Sequence, residues 1–129
     1  MSAHNVDHYW DVARQVIKQM HDLRQRIEEQ VTSDMQLKKD YTSVFQRALS
    51  WAQNVQFWCK RELSNDTNVL LQTMITSMEK SEQQSLGKGN QSLQTVKDDL
   101  HEIEKRIQSI LRMEGVSVTL GNPFVVGVI

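Results

Sequence analysis

Proline occurs once in this chain of 129 residues, at Pro123, and glycine only five times. Sandwiches and barrels need a turn roughly every 8–12 residues, so punctuation this sparse disfavours them and points to long helices. Cysteine also occurs once, as Cys59, which excludes an intrachain disulfide framework. Fifteen Lys and Arg against sixteen Asp and Glu leave a formal charge of −1, so the overall electrostatics give no reason to expect nucleic acid as a partner. No charge-free apolar run reaches the ~18 residues of a transmembrane helix. The first ten residues carry His4, Asp7 and His8 where a secretory signal would be apolar. A cytoplasmic chain is the expectation, exported, if at all, by a non-classical route. Two glycosylation-like triplets, Asn65-Asp66-Thr67 and Asn90-Gln91-Ser92, read as chance on the same ground.

What the chain does have is helical periodicity. Val6, Tyr9, Ala13, Val16, Met20, Leu23 and Ile27 alternate spacings of 3 and 4, as do Leu37, Tyr41, Val44, Ala48, Trp51, Val55 and Trp58. Both are heptad seams in one phase, which allows a single helix from 6 to 58. Against continuity, that phase puts polar Gln30 and Asp34 in the seam, and Ser33 and Gln36 stand in capping-box spacing. Ser64-Asn65-Asp66-Thr67 is a clear boundary, because all four residues favour caps and turns. Val69, Leu70, Leu71, Met74, Ile75 and Met78 then form a wide stripe, Gly87-Lys88-Gly89-Asn90 loosens the helix, and Leu93, Val96, Leu100, Ile103, Ile107 and Ile110 resume the seam. Gly115 is placed as a C-terminal cap.

The fold expectation is therefore all-α: helices at 6–31, 34–63, 66–86 and 90–113, antiparallel in an elongated bundle, or a long two-helix coiled-coil hairpin if the breaks near 32 and 88 heal. Residues 1–115 form the helical domain and 116–129 an apolar C-terminal arm, extended or hairpin-like. The arm holds no charged residue. Val116, Val118 and Leu120 alternate with Ser117 and Thr119, Gly121-Asn122-Pro123 makes a turn, and Phe124 to Ile129 runs apolar.

Chemistry finds little to rest on. His4 and His8 stand four apart without a glutamate between them, and no Glu-x-x-His motif of helical di-metal sites occurs, so neither metal nor cofactor is expected. His21 and His101 sit one residue past seam positions and read as surface groups. Lys60 and Arg61 follow Cys59, but successive helical residues do not face one another, and the thiol reads as inert. Gly87-Lys88-Gly89 lacks the length and the Lys-Ser/Thr ending of a phosphate loop, and no Gly-x-Ser-x-Gly elbow occurs. The aromatics Tyr41, Trp51 and Trp58 fall on the seam and read mainly as core.

The arm is different, since burying its large side chains would contribute about 1.5–3 kcal/mol each while leaving them wet invites aggregation. A non-enzymatic interaction or assembly protein is the expectation, docking on a protein partner or a second copy. The docking residues would be Phe45, Leu49, Phe57 and Trp58 on the widened second helix, with Val116, Val118, Leu120, Phe124, Val125, Val126, Val128 and Ile129 in the arm. The alternative is membrane association or pore formation by the arm. Long helices beside the apolar stretch Gly115 to Ile129 are similar to cytolysin-A-type pore formers. Leu37, Tyr41 and Phe45 at spacings of four are similar to part of a BAR-type membrane-bending helix. Both matches involve too few residues to assign a family.

Overall fold

The computed structural model describes residues 6–30, 32–84 and 92–118. They form four helices, α1 (Val6–Glu29), α2 (Asp34–Cys59), α3 (Asn65–Gln84) and α4 (Leu93–Met113), with a 3-10 turn at Lys60–Glu62 between α2 and α3. Four separate packed helices rule out the two-helix hairpin. The shared heptad phase does not carry α1 into α2, because Gln30 turns left-handed with φ 53° and Ser33 caps a fresh start. Ser33 Oγ accepts from Gln36 N at 3.2 Å. Only half of the expected capping box is present, since the Gln36 amide reaches forward to Asp40 Oδ1 at 2.9 Å.

α2 ends at Cys59, four residues before the expected 63, because the backbone tightens into the 3-10 turn before Leu63 extends. Ser64 then opens α3, its Oγ accepting from Thr67 N at 3.2 Å. The Asn68 amide donates back to Lys60 O at 3.0 Å and Ser64 O at 3.2 Å, which ties the turn to the helix it precedes. Ser92 caps α4 in the same way through Thr95 N, three residues later than the expected start. The Gly87-Lys88-Gly89-Asn90 break lies outside the described residues. At the far end of α4 Gly115 takes φ +71°. Gly115 N donates to Arg112 O at 3.0 Å and Val116 N to Leu111 O at 2.8 Å, the paired bonds of a Schellman cap.

Neighbouring helices run antiparallel, as their cross-links show. Arg26 meets Asp40 and Arg47 meets Gln15 between α1 and α2, and Gln46 meets Glu82 and Gln56 meets Gln72 between α2 and α3. Arg24 meets Glu104 and Lys97 meets Glu28 between α1 and α4. α3 also packs on α4, and α2 touches α4 across the diagonal, so the cross-section is a closed four-helix bundle. Nearly every seam residue is buried: Ala13, Val16, Met20, Leu23 and Ile27 of α1, Leu37, Tyr41, Ala48, Trp51 and Val55 of α2, and Val96, Leu100, Ile103, Ile107 and Ile110 of α4. α3 adds Leu71, Met74, Ile75 and Met78. Because α2 has three helical neighbours, its apolar stripe must be broader than a coiled-coil seam. Phe45, Leu49, Ala52 and Cys59 fill that extra width.

Candidate functional site

The twelve residues expected to meet a partner separate into four groups. Phe45 is 1% exposed and Leu49 5%, both within the chain's own core, so the assignment of these two to a docking surface is corrected: their breadth of stripe serves α3 and α4. Phe57 and Trp58 are on the surface, 74% and 43% exposed, with ring centroids 4.7 Å apart edge to face. Val116 and Val118, the first residues of the arm, are half-buried against the core. The Arg14 Nε–H donates to Ser117 O at 2.8 Å and holds this stretch beside α1. Leu120, Phe124, Val125, Val126, Val128 and Ile129, with the expected extended or hairpin form of the arm, lie outside the described residues.

Trp58 continues the seam spacing yet is not enclosed. The row of α2 that faces α1 runs through Arg47 and Trp51, and Trp51 Nε1 donates to Tyr9 O at 2.7 Å. Seven residues on, about 10 Å along the axis, Trp58 stands past Val6, the first described residue of α1. Phe57, one residue earlier on α2, is the more exposed of the two. Two further apolar side chains that the sequence reading did not single out are exposed, Met35 near the start of α2 and Met113 at the end of α4, and so is Val69, which that reading placed in the apolar stripe of α3. Val69 had a signal, because it shares a helical row with Thr73, Thr76 and Lys80, all polar.

α2's end, α3's start and α4's end meet at one end of the bundle. Glu114 ties them, its Oε2 accepting from Ser64 N at 3.1 Å and from the Thr67 hydroxyl. A carboxylate at the N-terminus of α3 meets orphan amides and the positive end of the helix dipole. Thr67 is fully buried under this tie, which leaves the hydroxyl of the Asn65-Asp66-Thr67 triplet inaccessible. The one buried carboxylate among the described residues, Glu104, accepts from Arg24 Nη2 at 2.8 Å and Nε at 3.2 Å.

Titratable groups are arranged for structure. Arg26 hydrogen-bonds Asp40 at 2.6 Å and holds its carboxyl below the ordinary value, against a smaller opposing effect of burial. Cys59 is fully buried, and burial, aided by nearby Glu62, pushes its thiol up, away from reactive thiolate. His21 and His101 are exposed, and among the described residues no three His, Cys, Asp or Glu side chains cluster as metal ligands. A notch between α2, α3 and α4, floored by Phe45, Met78 and Ile103, measures about 80 Å³, well under the ~300 Å³ at which small-molecule sites begin. No described helix is long and apolar enough to cross a membrane. No protein-family model matches the chain, and no curated protein or solved structure matches it either.

Proposed function

We propose that the chain is a non-enzymatic interaction and assembly protein, docking on a protein partner or on its own copies through the Phe57–Trp58 pair and the apolar arm of residues 116–129. One observation carries the reading: Trp10, Tyr41, Phe45 and Trp51 are all buried, whereas Phe57 and Trp58 stand together on the surface. Aromatic side chains are the commonest anchors of protein interfaces, where burial returns a large apolar area at little rotamer cost. The half-buried Val116 and Val118 start the arm from the flank of α1.

The test places the photo-crosslinker p-benzoylphenylalanine at position 57 or 124 of the full chain, with exposed position 101 as control, in an extract of the source cells. Adducts to one and the same protein species from 57 and 124, absent at 101, are expected. Flotation with neutral and anionic vesicles is expected to leave the chain at the bottom of the gradient. Adduct yields at 57 and 124 no higher than at 101, or co-flotation with vesicles, would overturn the reading.

A further inference from the structure

Ala48–Cys59 on α2 and Thr67–Met78 on α3 are two runs of twelve residues without a charged side chain. Within α1 and α4 no uncharged run exceeds five. The bond from Gln56 Nε2 to Gln72 Oε1, 2.6 Å, sets the two neutral runs side by side on antiparallel helices. Part of each run faces the core, and the outward residues of both runs are uncharged, with the Glu79 carboxylate at one edge accepting from Gln53 Nε2 at 3.1 Å. Ser50, Gln53, Asn54 and Phe57 are exposed on α2, and Val69, Gln72, Thr73 and Thr76 on α3. Within this face Phe57 and Val69 are 74% and 58% exposed. A shallow open depression of about 590 Å³ runs along α3 from Val69 to Lys80.

Solvated helix faces normally carry charge, as the outer rows of α1 do with Asp11, Lys18, Asp22 and Glu29. Depletion of charge around exposed apolar and aromatic groups is the compositional mark of an interface centre. We propose that this α2–α3 face pairs with the same face of a second copy in a two-fold dimer. A two-fold axis sets a surface against itself, so a face whose outward residues are largely uncharged meets its own copy with little unpaired charge to bury. Twelve helical residues span about 18 Å, and two helix widths about 20 Å. A patch of that size covers roughly 360 Å² on each copy and about 720 Å² for the pair, below the ~1,200 Å² of stable contacts, so the dimer is a weak one that dissociates on dilution.

The inference deepens the assembly reading by naming a second copy as partner, through a surface separate from the arm. Light scattering after gel filtration, run from micromolar to millimolar chain, reads the mass. Ser50 and Thr73 are exposed and bond only within their own helices, so charge placed there leaves the bundle intact. The wild-type mass is expected to rise with concentration towards twice the 15.0 kDa of one chain. S50E/T73E and S50K/T73K are each expected to stay at the single-chain mass, and an equimolar mixture of the two to regain the dimer. Circular dichroism of each variant confirms folding. A wild-type chain that stays monomeric throughout, or charged variants that dimerise like wild type, would overturn the face and leave the arm to its own test. A dimer lost instead in the full-length F124D/V126D variant assigns association to the arm, overturning the face while supporting the assembly reading.

Discussion

Replacing Arg24 by methionine removes both N–H groups that hold the Glu104 carboxylate, whose side chain is only 10% exposed. Stranding a buried charge costs about 3 kcal/mol at the lower end of measured cases. The converse change is milder. Arg24 is 23% exposed, and once Glu104 becomes methionine its long stem can carry the guanidinium to water while the new side chain packs beside Leu100 and Ile107. That substitution costs about 1 kcal/mol, and the double variant lies within ~1 kcal/mol of wild type, since paired apolar replacements of buried ion pairs are close to neutral. At roughly 4 °C per kcal/mol for a chain of this length, R24M melts about 12 °C below wild type and E104M about 4 °C below. Urea titration followed by helicity, with an unchanged m-value, gives the four free energies of the cycle. Equal costs for the two single variants, or a double variant as unstable as their sum, would refute the argument from unequal exposure.

At Gly115 a Cβ would meet nothing within 4 Å, so Gly115→Ala costs only the left-handed penalty, about 1–2 kcal/mol, and Gly115→Asn less; a thermal melt distinguishes them. Asp40 is depressed below its ordinary value near 3.8, so its contribution is complete above that pH and is lost as pH falls through the lower folded value. Asp40→Asn therefore flattens the acid limb of the stability curve below about pH 4, measured by urea unfolding at stepped pH. Cys59 has the opposite sign: its raised thiol is neutral in the fold, so stability falls as pH climbs past the ordinary thiol value near 9.0 and the unfolded chain ionises first. Cys59→Ala removes that alkaline loss, and native chain reacts with a disulfide reagent far more slowly than urea-unfolded chain.

The four helices were legible because their seams repeat at 3 and 4 and because Ser33, Ser64 and Gly115 carry cap chemistry that acts locally. The break after α1 was harder, since heptad phase survives a turn that merely returns the chain in register. The seam also records where an apolar stripe points, but not how many helices it meets. Phe45 and Leu49 accordingly looked outward-facing until α3 and α4 covered them. Glu104 shows the same limit: its burial depends on Arg24, eighty residues away, and no local pattern marks which arginine will arrive. Trp58 is the reverse case, a seam residue that the described length of α1 does not reach.

The first turns of α1 and the Gly115 cap of α4 lie side by side, around Asp7, Trp10 and Arg14. A mechanical load drawing Val6 and Gly115 apart would open this seam like a zipper, rupturing one helical turn at a time, instead of shearing two whole helices past each other. Such a bundle yields to gentle pulling however well it resists urea, because the rate of opening along that coordinate governs the response.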